Sequence, residues 1–145
     1  MKLSKSFSLD EFVVSGVAER FGYMNKPNDK QIENLNLLCK NVLQPLRDHI
    51  CVPIFISSGF RSFDTNYAVG GSVNSQHMEG KAADIIIPGK NLKEVFELMP
   101  KFFQFDQLIY EFERWIHVSH NGVRNRNEVL ISRKVCGVTK YEKIT

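Results

Sequence analysis

The feature that most constrains the fold is a single carboxylate inside an otherwise apolar segment. Residues 82–87 are Ala-Ala-Asp-Ile-Ile-Ile, with Asp84 as the one charged member. A continuous apolar run of this length predicts a strand that is covered on both faces. An ionised carboxylate buried in such a strand is unstable unless a partner offsets its charge. A cation close to Asp84 would offset it, and a metal ion is the strongest candidate.

Two histidines are predicted to join Asp84 around that ion. His77 lies seven residues before Asp84, at the end of a loop rich in Gly, Ser and Asn, and His117 lies in a later strand-like segment. Alternation in that segment places Trp115, His117 and Ser119 on one face. Two imidazoles and a carboxylate with an open fourth position suit a zinc ion that activates water. Ligand type alone leaves cobalt and manganese open as well.

The first part of the chain predicts helices. Ser8 and Glu11 have the spacing of a capping box, so a short helix is expected to follow, whereas residues 21–29 have the composition of a loop. From about Asp29, apolar residues recur every three or four positions, which predicts one long amphipathic helix. Pro45 lies inside that pattern and predicts a kink or a short break.

The rest of the chain predicts mainly strands. The predicted order is a strand at 53–57, a loop from Gly59 to about Gly80, a strand at 82–87, a helix at 92–99 closed by Pro100, strands at 107–112 and 115–120, a two-residue turn at Asn121-Gly122, and a strand at 128–132. Helices that come first and strands that cluster later predict an α+β fold, an antiparallel sheet with helices packed against it. We expect one domain over residues 1–145, with 138–145 as a frayed tail.

Composition excludes several classes of protein. The net charge is only +3, and the basic residues form no dense run, so nucleic-acid binding is not expected. No apolar run reaches 18 residues and the amino terminus has no apolar signal segment, so we expect a cytoplasmically made protein with no membrane partner. Three cysteines without a C-x-x-C pair argue against disulfides and against a cysteine zinc site. We expect a monomer.

Several segments together resemble a known family. They are Ser-Gly-Phe-Arg-Ser at 58–62, Asn66, Val-Gly-Gly at 69–71, Ser-Gln-His at 75–77, Gly80, Ala-Asp at 83–84 and Trp-Ile-His at 115–117. This combination resembles the zinc D-Ala-D-Ala peptidases of family M15, in particular the phage-endolysin branch of the Hedgehog/DD-peptidase superfamily. The resemblance implies a Hedgehog/DD-peptidase-like fold, zinc held by His77, Asp84 and His117, and peptidoglycan peptides as substrates. Without a signal peptide, such an enzyme is expected to reach the wall after release from the cell or as part of a phage.

The resemblance also bears on the base that activates water. Many members have Glu three residues before the last histidine ligand, where this chain has Arg114. In the related Hedgehog zinc domain the Glu lies six residues before that histidine, which matches Glu111; Glu113 is the competitor. A three-residue hairpin loop at 112–114 would put Glu111 on the face of His117, whereas a two-residue loop would turn it away. We predict Glu111 and the three-residue loop.

Four further residues are candidates for substrate contact or catalysis. The resemblance implies that Arg61 stabilises an oxyanion or binds a carboxylate, a role that suits a planar and permanently charged guanidinium. Asn66 and Ser75 are candidates for substrate contact or for ordering the loop, and Trp115 for the wall of a cleft or for the core. Two histidines are not expected to take part. His49 lies at the end of the predicted long helix, and His120 falls on the opposite strand face from His117.

The function expected from these residues is zinc-dependent hydrolysis of a peptide bond in peptidoglycan stem or cross-bridge peptides, by a D,D-carboxypeptidase or an endopeptidase. The two kinds of peptidase share the same metal site, so the sequence does not separate them. The alternative is an inactive zinc-containing module that binds the cell wall or belongs to a phage particle. The carboxylate at Glu111 favours the enzyme.

Overall fold

The computed structural model describes residues 1–144, which form several helices and a six-stranded sheet. The helices are α1 (Leu9–Val13), α2 (Gly16–Phe21), α3 (Asp29–Leu38), α4 (Gln44–Ile50), α5 (Phe63–Ala68) and α6 (Leu92–Phe102). The strands are β1 (Phe55–Ser58), β2 (Ala82–Ile86), β3 (Gln107–Glu111), β4 (Trp115–Ser119), β5 (Glu128–Val135) and β6 (Val138–Ile144). Within residues 1–144, no helix has the length and apolar character needed to cross a membrane. This is the α+β class that the sequence predicts.

The sheet has the strand order β1-β2-β4-β3-β5-β6, and all neighbouring strands are antiparallel except β3 and β5. The predicted two-residue turn at Asn121-Gly122 is wrong: β5 begins only at Glu128 and does not pair with β4. Both edges of β4 are already occupied by β2 and β3. The chain therefore crosses over and places β5 beside β3 in the parallel direction.

The predicted kink near Pro45 is confirmed as a π-helical turn over Cys39–Leu43, between α3 and α4. The backbone N–H of Gln44 bonds the carbonyl of Cys39, five residues earlier. Pro45 has no N–H to donate, and its ring crowds the preceding turn, so the helix widens just before it. The capping box of α1 is also confirmed, because Glu11 accepts a hydrogen bond from the Ser8 backbone N–H at 2.7 Å.

Three predicted boundaries are wrong. Helix α6 continues through Pro100 to Phe102, because its apolar face is buried and Pro100 removes only one donor. The segment 59–80 is not a simple loop, since it contains α5 and a 3₁₀ turn at Gln76–Glu79. The tail expected to be frayed forms β6, which pairs with β5 from Val138 to Ile144; Thr145 lies outside the described residues.

The two faces of the sheet differ in character. One face is apolar and packs against the helices, and its buried members are Ala83, Ile85, Leu108, Tyr110, Ile116 and Val118. Residues that alternate with these point to the other face, which carries Asp84, His117, Glu111 and Ser132. A polar site is therefore built on a strand face whose backbone is fixed by the core beneath it.

Candidate metal centre

Strand register brings two of the three predicted metal ligands together. Asp84 of β2 lies directly opposite His117 of β4, so their side chains are neighbours on one face. His77 arrives from outside the sheet, on the 3₁₀ turn Gln76–Glu79. Ser75 caps that turn by accepting a hydrogen bond from the His77 backbone N–H at 3.2 Å. A short capped turn thus fixes the imidazole beside the strand pair.

The three side chains converge on the carboxylate. The Nε2 atom of His77 lies 3.3 Å from Oδ1 of Asp84, and the Nδ1 atom of His117 lies 3.0 Å from the same oxygen. One ligand atom from each of the three residues lies within 4.8 Å of the others, and all three side chains are largely buried. Nitrogen and oxygen donors at this spacing fit a divalent transition metal with an open coordination position. These residues could hold a metal ion.

Hydrogen bonding fixes which nitrogen of His77 faces the site. Its Nδ1 lies 2.7 Å from the carbonyl oxygen of Gly59, so Nδ1–H donates to that carbonyl and Nε2 is left with a lone pair. Such a bond from the distal ring nitrogen orients a ligand histidine. Gly59 is fixed in turn by α1, because the next residue, Phe60, donates its backbone N–H to the Phe12 carbonyl at 2.7 Å.

The ionisation states of His77 and Asp84 suit metal binding. Burial lowers the pKa of His77 despite the opposing charge of Asp84, so the imidazole is neutral at neutral pH. Burial alone would raise the pKa of Asp84, but the adjacent His77 and His117 outweigh it and hold that pKa below its usual value. A neutral imidazole and an ionised carboxylate are the forms of these two side chains that bind a metal.

Arg61 lies at the edge of the ligand group and is held at three points. Its Nη2 is 3.6 Å from Oδ2 of Asp84, its Nε donates to the Ser58 hydroxyl at 3.2 Å, and its Nη1 donates to Oδ1 of Asn66 at 3.1 Å. Asn66 is buried and also donates to the carbonyl of Ser72 at 2.9 Å. Asn66 thus contacts both Arg61 and the following loop, and its contact with substrate stays a prediction.

The predicted three-residue hairpin loop is confirmed. Glu111 lies opposite Trp115, and residues 112–114 form the turn, in which Phe112 and Glu113 adopt positive φ angles of 53° and 61°. Glu111 consequently shares a face with His117. Glu113 is exposed at the tip of the turn and does not line the cleft that contains the three predicted ligands.

Glu111 is buried and held by one strong hydrogen bond. The hydroxyl of Ser132, on β5, donates to its Oε2 at 2.5 Å. Burial raises the pKa of Glu111, while the Ser132 bond and the charge of His117 oppose that rise. A raised pKa brings a carboxylate closer to the value at which it can both accept and return a proton near neutral pH.

A cleft of about 640 Å³ connects these groups. The predicted ligands, Arg61 and Glu111 all line it, as do Ser75 and Trp115. His120 is buried elsewhere, where its Nδ1 accepts a hydrogen bond from the Gly122 backbone N–H at 3.1 Å. His49 packs against Phe102. Neither histidine lines the cleft, as the sequence predicts.

Sequence reasoning missed two residues of the site, Ser132 and Tyr141. Both lie on the face of Glu111, and both line up with it across β3, β5 and β6. No sequence signal identifies them, since their positions depend on the parallel pairing of β3 and β5. That pairing was not predicted.

The comparisons with known proteins agree with this geometry. A model of the family described as Peptidase M15 matches residues 5–119, a segment that contains all three predicted ligands, Arg61 and Glu111. A comparison with curated proteins gives no match. The match covers well over half of the chain and implies a metal-dependent peptidase. With its buried His-Asp-His group and a carboxylate beside it, this chain belongs to the Peptidase M15 family.

Proposed function

We propose that the protein is a zinc-dependent peptidase that hydrolyses a peptide bond in the stem or cross-bridge peptides of peptidoglycan. The observation that carries this proposal is the arrangement of His77, Asp84 and His117 beside Glu111 in one cleft. A site that only binds a metal does not need a buried carboxylate of raised pKa next to it. The family match supports the peptidase chemistry.

The metal is assigned to Nε2 of His77, the carboxylate of Asp84 and Nδ1 of His117. Two imidazoles and one carboxylate are a common ligand set for hydrolytic zinc, and they leave one position open. A bound zinc ion supplies a Lewis acid, which acidifies water and polarises a carbonyl. Every other part of the reaction is assigned to side chains of the chain itself.

Glu111 is the proposed general base and then the general acid. Its carboxylate takes a proton from the attacking water while the water oxygen forms a bond to the scissile carbonyl carbon. When the carbon–nitrogen bond breaks, the same carboxyl group returns that proton to the leaving amine. The Ser132 hydroxyl holds one carboxylate oxygen throughout, which leaves the other to face the water.

Arg61 is the proposed stabiliser of the negative charge that develops on the carbonyl oxygen. Its guanidinium is held by Ser58, Asn66 and Asp84, so it reaches the reaction already oriented. A preoriented donor favours the transition state without reorganising during the reaction. Trp115 and Ser75, which line the cleft, are proposed to contact the peptide.

We further propose that the chain acts as one zinc peptidase domain and as a monomer, with a fold of the Hedgehog/DD-peptidase type. Access to its substrate follows release from the cell or association with a phage. The monomer is supported by a site whose three predicted ligands all come from one chain.

The test is mass spectrometry of muropeptides incubated with the purified protein. Zinc-loaded protein is expected to release new fragments whose masses identify the cleaved bond. Chelation should stop the reaction and added zinc should restore it. Binding of the muropeptides without any cleavage would instead establish the wall-binding module, and products that form equally well in chelated protein would contradict the metal assignment.

A further inference from the structure

The β5–β6 hairpin lies outside residues 5–119, the segment matched by the family, yet it contributes side chains to the cleft. Glu111 of β3 pairs with Ser132 of β5, and Ser132 pairs with Tyr141 of β6. Directly paired residues project from the same face of a sheet. The three side chains therefore form a row that runs away from Asp84 and His117, the two predicted ligands on β2 and β4, which lie on the other side of Glu111.

The phenol of Tyr141 is available for binding. The side chain lines the cleft, the residue is 58% exposed, and its hydroxyl takes part in no hydrogen bond within residues 1–144. Partial burial raises the pKa of Tyr141, and the negative charges of Glu111 and Asp84 raise it further. The group is therefore a protonated hydrogen-bond donor at neutral pH, and both carboxylates are close enough to affect it.

The other tyrosines are placed differently. Tyr110 stacks on Phe96 on the opposite face of the sheet, and Tyr23 stacks on Phe21 near the end of α2. Tyr67 is exposed on α5. None of these three lines the cleft. Among the tyrosines of residues 1–144, Tyr141 is thus the one that lines the cleft, and the β5–β6 hairpin places it there.

Strand geometry limits what Tyr141 can contact. The backbones of β3 and β6 are two inter-strand spacings apart, about 10 Å. An extended peptide covers the same distance in about three residues. A peptide bound along the cleft with its scissile bond at Glu111 would therefore place a flanking residue near the phenol.

We propose that Tyr141 is a substrate-binding residue whose phenolic O–H donates a hydrogen bond to a backbone or side-chain oxygen of the peptide, up to about three residues from the scissile bond. The β5–β6 hairpin forms the second wall of the cleft, across from the loop that carries Arg61. The proposal rests on the proposed peptidase function. It predicts that Tyr141 matters for long peptides and not for short ones.

The first experiment compares Tyr141→Phe with the wild type, both loaded with zinc, on muropeptides and on a D-Ala-D-Ala dipeptide blocked at its amino end. On muropeptides KM is expected to rise about three- to tenfold, as loss of one neutral hydrogen bond implies, while kcat stays within about twofold. On the dipeptide, the ratio of kcat/KM between Tyr141→Phe and the wild type should stay near one. Tyr23→Phe is the matched control, and it should behave as the wild type on both substrates.

A second measurement needs no turnover. Glu111→Gln and the double variant Glu111→Gln/Tyr141→Phe are titrated with the same muropeptides by calorimetry, after thermal unfolding has verified that both are folded. The double variant is expected to bind the muropeptides about three- to tenfold more weakly than Glu111→Gln does. Equal dissociation constants, or no binding by either variant, would overturn the role of Tyr141. Failure of the wild type to cleave muropeptides would overturn the peptidase proposal while the calorimetry still decides on Tyr141.

Discussion

The Nδ1 atom of His77 and the carbonyl oxygen of Gly59 are 2.7 Å apart, and this contact sets the direction of the imidazole. The contact is possible only because residue 59 lacks a side chain. A Cβ at that position would lie 2.6 Å from both Cα and the carbonyl oxygen of Phe12, atoms of the α1 backbone that cannot move independently. Glycine is therefore required at position 59 because a side chain would not fit there, and this close packing keeps the Gly59 carbonyl within reach of His77 in the candidate metal centre.

Replacing Gly59 by Ala is expected to destabilise the protein by about 1–3 kcal/mol, since overpacking against backbone shifts the strand end. It should also weaken zinc binding by about ten- to a hundredfold, as loss of an orienting hydrogen bond does. Chemical denaturation and competition with a zinc chelator measure the two effects. Gly16→Ala is the control, because nothing lies within 4 Å of its added Cβ. If the zinc affinity of Gly59→Ala equalled that of the wild type, the role assigned to the contact between His77 and the Gly59 carbonyl would be contradicted.

Glu111→Gln is expected to lower kcat by about 10²–10⁴-fold on muropeptides, the usual contribution of a general base. Bound zinc should remain near the wild-type amount, because the three ligands are intact. Steady-state kinetics and metal analysis of the same preparation provide both values. Glu113→Gln should keep wild-type activity, since Glu113 is exposed in the turn. If Glu113→Gln were the inactive variant, the base would be misassigned.

Ser132→Ala is expected to shift the acidic limb of the pH profile of kcat/KM upward by about one pH unit or more. The Ser132 hydroxyl donates to the Glu111 carboxylate and so favours its ionised form. A hydrogen bond to a charged group is worth about 1.5–3 kcal/mol, and one pKa unit corresponds to about 1.4 kcal/mol. Ser132→Thr, which keeps the hydroxyl, should restore the wild-type profile. A profile that falls in height without shifting would indicate a purely structural role.

The same carboxylate predicts how stability depends on pH. Burial raises the pKa of Glu111 above its ordinary value of 4.5, so the folded protein binds that proton more tightly than the unfolded chain. Stability therefore falls as pH rises from the ordinary pKa through the folded pKa, and the loss persists above it. At pH 8, metal-free Glu111→Gln should melt roughly 2–5 °C above the metal-free wild type.

Below pH 4 the difference in melting temperature between Glu111→Gln and the wild type should disappear, because Glu111 is then protonated in both the folded and the unfolded chain. Calorimetric scans of the two metal-free proteins at both pH values make the comparison. A Glu111→Gln variant that melts below the wild type at pH 8 would show that the ionised carboxylate stabilises the fold, contrary to its burial.

Much of the fold could be predicted because its signals are local. The capping box at Ser8, the kink before Pro45 and the three-residue loop after Glu111 each depend on a few neighbouring residues. The position of β5 could not be predicted, because it depends on both edges of β4 being occupied. Continuation of α6 past Pro100 likewise depends on burial of its apolar face, which outweighs one missing hydrogen bond.

The same distinction holds within the site. Asp84 and His117 could be identified because an isolated carboxylate in an apolar strand requires a partner, and strand alternation indicates which histidine faces it. The sequence left two roles open for Asn66, and the contact between its amide and Arg61 is visible only in the structure. Ser132 and Tyr141 lie on strands whose pairing is non-local, and a serine or a tyrosine in such a strand has no distinguishing pattern.

The most direct test is anomalous diffraction at the zinc absorption edge, from crystals of the full chain grown with equimolar zinc. We predict one anomalous peak per chain, about 2.0–2.2 Å from Nε2 of His77, a carboxylate oxygen of Asp84 and Nδ1 of His117. A chain without a peak at these three side chains, or with its zinc bound elsewhere, would contradict the metal centre and the peptidase function that depends on it.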